Sequence, residues 1–534
     1  MSGLASFVSN AEYDSYFSLG YFVILLPLAV LAYLVAPKAI RRVVLLVSSY
    51  AFFYAISGKL LIYLLISTLS VFLVGLWLGK MQENCDAKLA VAEKAEKKGI
   101  KAASQRRQRL VLALGIIINI GMLVVLKYTA FFATNLNSLL GSFGSEFTVR
   151  VPSFMLPIGI SFYSMQAASY LFDVYRKIAA PDRNLLRIAM YMSFFPQLME
   201  GPICRYGDTA SQLYDANPMK WENFTLGCQR ILYGMVKKIV IADRLNMFIT
   251  NVFAYPDRYN GEALALGAVC YTVQLYMDFS GTMDAVIGTG QIFGIKMPEN
   301  FKRPFCSKSI SEFWTRWHVT LGTWFKDYIF YPLSMSKPLK KLTSAARKKM
   351  GNHFGPLCSG AIALFCVWLM NGLWHGDGWN YIFFGMYHFV LILCGNICEP
   401  YIVKLTEKLH IDRNGKKYTI FRIAKTTLLV CIGELFFRAE TLSKGFYMLG
   451  NVFASGKRFP TGLDVMDVAI VILTLLGIAV IGHLQEKGVG IRESIAKRNV
   501  VVRFAVWYAV IMFIVIFGAY GVGYLPVDPI YAAF

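Results

Sequence analysis

The chain has 534 residues, of which 56% are hydrophobic and 16% charged, and its mean hydropathy is +0.50. This composition is typical of a membrane protein and excludes an ordinary soluble fold, because no long polar stretch is present to form one. The net charge of +22 does not indicate nucleic-acid binding. Lys and Arg gather in short segments between apolar runs, where they set membrane topology.

Apolar runs long enough to cross ~30 Å of hydrocarbon recur along the sequence, and we predict about eleven spans plus shorter intramembrane pieces. The predicted apolar segments are Leu19–Leu34, Val43–Ile56, Leu60–Leu78, Leu110–Leu126, Ile158–Val174, Arg187–Gln197, Phe224–Phe253, Leu264–Phe293, Pro356–Trp374, Trp379–Glu399, Tyr418–Phe437, Val465–Leu484 and Phe504–Tyr520. The alternation of basic segments predicts that both termini are extracytoplasmic. The first run lacks a basic n-region and a cleavage site, so we expect a retained anchor, not a signal peptide.

Basic segments mark the predicted cytoplasmic side. Lys80–Arg109 is the most basic of them, and Lys88–Arg107 within it is predicted to be a short solvated helix. Lys337–Phe354 is predicted to be loop-like, and Lys404–Lys417 is a second basic loop on the same side. The turn His375–Gly378 between two spans is therefore expected in the outer half of the bilayer.

Several apolar segments carry polar residues that simple lipid-facing helices avoid. Ile158–Val174 and Arg187–Gln197 are short and broken, which favours re-entrant or tilted pieces buried in protein. Phe224–Phe253 contains four charges that must be paired or hydrated inside a membrane. These four are Lys237, Lys238, Asp243 and Arg244.

The sequence offers no metal or thiol chemistry. Its ten cysteines are scattered without a CxxC pair, so neither a zinc site nor a disulfide framework is predicted. His375, Asp377 and His388 lack a regular ligand spacing, which disfavours a metal site. No GxSxG elbow is present, so a serine nucleophile is not predicted.

His375 is the strongest catalytic candidate among the six histidines. It lies in a glycine-framed turn with Trp374 and Trp379 beside it and Asn371 one helical turn before it. A buried imidazole accepts a proton near neutral pH, and it acts better as a base where water is limited.

The other histidines allow two readings. His318 follows Trp317 and lies near charged residues, so a catalytic role and a structural ion-pair cluster both stay open. His388 follows Tyr387 in an apolar helix, where a core hydrogen-bond network is slightly favoured over a functional role. A solvated or interfacial role is predicted for the remaining three, His353, His410 and His483.

Two motifs carry a family resemblance: RPFCSKSISEFWTRWHVTLGTWFKDYIFYPL and NGLWHGDGWNYIFFGMYHF. Together they resemble the signature of the membrane-bound O-acyltransferase (MBOAT) family, in particular its bacterial branch that acetylates alginate and other exopolysaccharides. A related branch D-alanylates teichoic acids. Supporting matches are LPIGISFYSMQAASYLFDVYR, FFPQLMEGPICRY, GMVKKIVIADRL, LYMDFSGTMDAVIGTG and MPENFKRPF, and Glu200 departs from the small or apolar residue more often found there.

The resemblance implies an all-α, polytopic membrane protein with helices around a central channel. It implies one multi-pass domain over residues 1–534, with the catalytic core at 150–395 and C-terminal helices at 401–534. His375 corresponds to the invariant family histidine and His318 to the second family position. The residues that would line or brace the channel are Asn371, Trp374, Gly376, Trp317, Arg316, Lys326, Asp327, Asp278 and Ser280.

The resemblance also implies a reaction. An acyl group, expected to be acetyl from acetyl-CoA or an acyl carrier thioester, would be moved from the cytoplasmic side for O-acetylation of an extracellular or cell-wall polysaccharide. No bound cofactor is expected, and an extracytoplasmic SGNH-type transferase is the implied partner. Two alternatives stay open: D-alanyl transfer from a carrier protein to teichoic acid, and a polysaccharide or lipid transporter without covalent chemistry.

Overall fold

The computed structural model describes residues 15–456, 462–520 and 524–527. The polar N-terminal stretch up to residue 14 and the end of the C-terminal tail, on which the predicted placement of the termini partly depends, lie outside the described residues. Within them the chain is helical, without a β-strand. Its helices are α1 (Gly20–Val35), α2 (Lys38–Ser57), α3 (Leu61–Val91), α4 (Lys94–Ser142), α5 (Ile160–Tyr175), α6 (Leu185–Ser193), α7 (Phe195–Leu198), α8 (Tyr206–Asp215), α9 (Trp221–Met235), α10 (Asp243–Ala254), α11 (Gly261–Ile292), α12 (Ile310–Arg316), α13 (Val319–Phe325), α14 (Tyr331–Ser334), α15 (Lys337–His375), α16 (Trp379–Lys408), α17 (Lys416–Arg438), α18 (Leu442–Gly450), α19 (Val465–Glu486), α20 (Ile491–Ala496) and α21 (Val500–Phe517).

Six helical stretches of the described chain are long and apolar enough to cross a membrane. They are Lys38–Val91, which contains both α2 and α3, then α4, α15, α16, α19 and α21. The other predicted spans form helices that are shorter, such as α1, or interrupted by polar residues, such as α11. The prediction of an all-α polytopic membrane protein is confirmed.

The chain divides into two compact units. Among the described residues, the first contains residues 15–230 and 285–298, and the second contains residues 231–284 and the described part of 299–527. A hairpin of two long helices, α3 and α4, dominates the first unit. The ion pairs Asp86–Lys177 and Glu83–Arg183 tie α3 to the segment between α5 and α6.

The basic end of the α3–α4 hairpin extends beyond its apolar part. Helix α4 has 49 residues and begins at Lys94, although its apolar run begins only at Leu110. At 1.5 Å per residue, the polar first 16 residues add roughly 24 Å to the helix. Strong helix formers such as Ala, Glu, Lys, Gln and Arg dominate this polar segment, which explains why the helix continues past the apolar run.

The second unit contains the candidate site and is organised by the hairpin of α15 and α16. The basic segment Lys337–Phe354, predicted as a loop, is instead helical, so that prediction is wrong. It folds back on the apolar part of α15 at Gly351, whose φ of 78° is a conformation that glycine adopts at low cost. The predicted turn after His375 is present, since α15 ends there and α16 begins at Trp379.

Two π-helical segments interrupt the helices of the second unit. Val236–Ala242 joins α9 to α10, and Lys326–Phe330 joins α13 to α14. Such wide turns shift the register of a helix and are frequent at functional sites. Both segments contain lysines that the sequence singled out, namely Lys237, Lys238 and Lys326.

Candidate functional site

His375 is the last residue of α15 and is buried by aromatic rings from three helices. Its ring centroid lies 4.9 Å from that of Trp374, 5.9 Å from Phe384 on α16 and 5.1 Å from Phe437 on α17. All three contacts are edge-to-face, the arrangement that aromatic pairs prefer. The imidazole is thus fixed in orientation and shielded from bulk solvent.

Close helix packing holds the His375 turn in place. A methyl group on Gly385 of α16 would overlap the backbone carbonyl of Trp368 on α15, and one on Gly372 would overlap that of Tyr381. Small residues at such positions let two transmembrane helices approach closely. Gly376 has no space for a side chain either, since the Tyr381 ring lies against its Cα.

His318 occupies a strained turn between α12 and α13. Its backbone has φ 45° and ψ 53°, the left-handed region that non-glycine residues rarely adopt. Such strain costs of order 1–3 kcal/mol and persists only where neighbouring groups impose it.

Asn300, in the segment before α12, stabilises that turn through hydrogen bonds. Its backbone carbonyl accepts the Val319 amide at 2.9 Å, and its Oδ1 accepts from the Thr320 amide at 3.1 Å and the Thr320 hydroxyl at 2.9 Å. The same Oδ1 lies 3.1 Å from Nδ1 of His318. Because the Thr320 amide can only donate, the Asn300 atom facing it is the oxygen, so Nδ1 of His318 carries a proton and Nε2 carries the lone pair.

Trp374 connects the two candidate histidines. Its ring centroid lies 5.8 Å from that of His318 and 4.9 Å from that of His375. Both imidazoles are buried. The structure therefore brings both sequence-predicted histidines against one indole.

His388 lies near His375 and Trp374, and the indole of Trp314 holds its ring in place. It is completely buried on α16, and its Nδ1 accepts the indole N–H of Trp314 at 3.3 Å. Its ring also contacts Phe384, at 4.8 Å between centroids, and Phe384 in turn contacts His375. This geometry agrees with the core hydrogen-bond role that the sequence favoured.

Two predicted channel residues are buried without a hydrogen-bond partner among the described residues. These are Oδ1 of Asn371, one turn before His375 on α15, and the hydroxyl of Ser280 on α11. Buried polar groups are normally satisfied, so each such atom is available to a substrate or to water.

Asp278 and Trp317 are buried in the surroundings of His318. Asp278 forms a buried ion pair with Lys238 at 2.8 Å, and Lys238 also pairs with Asp243 at 3.0 Å. The next residue of α11, Phe279, packs on His318 with 4.9 Å between ring centroids. Trp317 is buried in an aromatic cluster with Phe313, Phe301, Phe305, Tyr276 and Phe279.

The remaining predicted residues have more exposed surroundings. Arg316 pairs with Glu312 and with Glu486 on α19. Lys326 is exposed, with its ammonium group 5.5 Å from the ring centre of Tyr331, and Asp327 is half-buried.

Asn300 and Glu434 are buried polar residues of this unit that sequence reasoning missed. Asn300 lies in the motif MPENFKRPF, but nothing in the sequence shows that its side chain meets His318. Glu434 on α17 is buried, and its Oε2 has no hydrogen-bond partner among the described residues. A carboxyl group inside an apolar helix was the available signal.

Comparison with known proteins places this architecture in a family. Residues 47–347 match the model of the membrane-bound O-acyltransferase family, MBOAT. The chain belongs to the MBOAT family. The match contains His318, Asp278 and Ser280 and ends before His375. The protein is thus an O-acyltransferase embedded in a membrane by several helices.

Curated relatives extend the similarity over more of the chain. A Pseudomonas putida protein named probable alginate O-acetylase AlgI is 36% identical over 372 residues, which cover 68% of this chain and 70% of the relative. An Azotobacter vinelandii protein of the same name is 32% identical over 475 residues, 88% of this chain and 85% of the relative. The teichoic acid D-alanyltransferase of Bacillus subtilis is 31% identical over 287 residues, 53% of this chain and 69% of the relative.

Proposed function

We propose that this MBOAT enzyme transfers an acetyl group from a cytoplasmic thioester across the membrane for O-acetylation of an extracellular or cell-wall polysaccharide. The observation that carries the proposal is the contact of two buried imidazoles, His375 and His318, with the single indole of Trp374. The names of the alginate O-acetylase relatives support acetyl as the group and a polysaccharide as the final acceptor.

His375 is the general base in this proposal. An acceptor hydroxyl gives its proton to the imidazole while its oxygen attacks the thioester carbonyl, so that a C–O bond forms. When the tetrahedral intermediate collapses, the C–S bond breaks and the thiolate leaves with the proton from the imidazolium. Protons balance, because the base returns to its neutral form after each transfer.

The surroundings of His375 suit this role. Aromatic rings on three sides exclude water that would hydrolyse the thioester, and they hold the ring in one orientation. The developing oxyanion needs hydrogen-bond donors. In this proposal the Trp374 indole N–H and the backbone amides of the turn after His375 are those donors.

His318 orients the donor in the same proposal. Because Asn300 accepts the Nδ1 proton of His318, Nε2 is the acceptor atom of this imidazole. In this role Nε2 accepts a hydrogen bond from an amide N–H or a hydroxyl O–H of the thioester donor. The donor approaches from the basic, cytoplasmic side. Acetyl-CoA is the proposed donor, and an SGNH-type transferase outside the membrane is the proposed recipient that passes the acetyl group to the polymer.

D-alanyl transfer is the second candidate. It rests on the Bacillus subtilis relative, whose similarity covers 53% of this chain against 88% for the Azotobacter vinelandii relative. The longer shared region favours acetyl. A transporter without covalent chemistry is disfavoured by membership in the acyltransferase family.

The deciding experiment combines one active-site variant with ester analysis. Cells expressing the wild-type protein or His375→Ala are treated with mild base, and the released acetate and D-alanine are quantified. We expect wild-type cells to release acetate. His375→Ala cells should release at least ~100-fold less acetate while keeping wild-type levels of inserted protein.

His353→Ala is the matched control, since His353 is an exposed histidine whose ring hydrogen-bonds to the Asn396 carbonyl. It should keep full acetylation. Retained acetylation in His375→Ala would remove the catalytic assignment, whereas release of D-alanine in place of acetate would select the second candidate.

A further inference from the structure

An apolar groove lies between α1 and α2 of the first unit. Its volume is about 510 Å³, within the usual size of ligand sites. Its buried floor is formed by Ala29 and Phe52, and its exposed rim includes Leu28, Val43 and Val47. The small side chains along both helices make the groove concave, and among the described residues that line it Ser48 alone is polar.

A cationic cluster lies at one end of this groove. Lys38, Arg41 and Arg42 occupy the first turns of α2, and that helix has no acidic residue in its first turn. On α2 the groove is lined from Val43 to Ala55, and Arg41 is one turn before Val44 on the same face. The groove therefore leads from hydrocarbon to the cations.

These cations are not neutralised within the described part of the chain. None of the three forms an ion pair with a described carboxylate, and Nε of Arg41 is buried without a hydrogen-bond partner there. Three positive charges at a helix N-terminus repel one another and the helix dipole. An anion at this position would satisfy the Arg41 guanidinium and offset that repulsion.

We propose that the groove and its basic end form a binding site for an acidic phospholipid of the surrounding bilayer. One acyl chain lies in the groove between α1 and α2, and the phosphate and anionic headgroup are bound by Arg41 and Lys38. Charge complementarity selects this occupant over a second copy of the chain, since another copy would bring the same cations to the same place. The site is independent of the proposed acetyl transfer.

The test uses photo-crosslinking lipids on the full-length protein in nanodiscs. The probes are phosphatidylglycerol and phosphatidylcholine, each with the same diazirine-bearing acyl chain, and the crosslinked peptides are identified by mass spectrometry. We expect phosphatidylglycerol to label the peptides spanning 24–55 several-fold more than phosphatidylcholine does. Removal of one cation should weaken this preference about fivefold.

Variants separate the two parts of the site. Arg41→Gln with Lys38→Gln should abolish the preference for the acidic lipid, and Ala32→Phe with Ala55→Phe should reduce labelling of both lipids by filling the groove. Arg498→Gln, an exposed cation elsewhere, and Val480→Phe, a change on the exposed face of α19, are controls that should leave labelling unchanged.

Three results would overturn the proposal. Equal labelling by the two lipids would show that the cations recognise no headgroup. Labelling spread evenly over all exposed helices would show that the groove is not a site. Crosslinks between two protein chains at residues 24–55 would show that a second copy of the protein, and not a lipid, occupies the groove. Because lipid labelling is measured directly, an inactive variant still reports on the site.

Discussion

Trp314 donates its indole N–H to Nδ1 of His388, with 3.3 Å between the two nitrogens. The proton of this neutral imidazole is therefore on Nε2, which faces Gly433 of α17, where a methyl group would lie 2.7 Å from it. Nδ1 of His388 is thus held by Trp314, whereas Nε2 is buried without a hydrogen-bond partner among the described residues.

This geometry predicts that Trp314→Phe lowers stability more than catalysis. The variant leaves Nδ1 of a buried imidazole without a donor, which costs about 1–3 kcal/mol. We expect a lower midpoint of thermal unfolding in detergent, with acetyl transfer per folded molecule within about twofold of wild type. A large loss of activity at an unchanged midpoint would instead place His388 in the chemistry.

The left-handed backbone of His318 predicts an unusual pair of variants. Glycine tolerates φ 45°, so His318→Gly should fold at least as well as wild type, whereas His318→Ala keeps the strain of about 1–2 kcal/mol. Both remove the imidazole and should reduce acetyl transfer by at least ~10-fold. Thermal unfolding and the initial rate are measured side by side; full activity in either variant would contradict the role proposed for His318.

Asn300 predicts a graded effect on the same histidine. Asn300→Leu removes the acceptor for the Nδ1 proton of His318 and for the Thr320 amide, so we expect both stability and the rate to fall. Asn300→Asp retains an acceptor at this position and should recover part of the rate. If both variants show the same rate relative to their folded fraction, the hydrogen bond to His318 does not set the reactive tautomer.

The buried ion pairs of Lys238 predict that loss of this lysine can be compensated by neutralising its two acidic partners. Lys238→Met leaves the carboxylates of Asp278 and Asp243 buried without their cation, which costs about 3–5 kcal/mol, and little folded protein is expected. Neutralising both acids as well, in Lys238→Met with Asp243→Asn and Asp278→Asn, should restore the yield of monodisperse protein. Lack of rescue would mean that the lysine itself, through its hydrogen bond to the Val527 carbonyl, is required for folding.

Hydropathy located most membrane helices, and its failures have a physical reason. The segment predicted at Val465–Leu484 agrees closely with the observed helix Val465–Glu486, because both ends of this helix coincide with changes in polarity. Helix α4 begins 16 residues before its apolar run, since strong helix formers continue the helix in water. The same effect turned the predicted basic loop at Lys337–Phe354 into helix.

The site was predicted in its residues but not in its contacts. His318 and His375 were recognisable from their motifs, and the turn after His375 from its glycines. The contact of His318 with Trp374 and the hydrogen bond from His318 to Asn300 join separate segments of the chain, and no periodicity encodes such contacts. The charges near Lys238 were expected to be paired or hydrated, yet only tertiary packing shows that one partner is Asp278 on α11.

The α3–α4 hairpin has a practical consequence for imaging. A detergent belt covers the apolar surface of a membrane protein, and the polar end of α4 adds roughly 24 Å of helix beyond its apolar run. Two ion pairs at Asp86 and Glu83 brace this projection at its base. It offers an antibody fragment a rigid helical epitope outside the apolar surface.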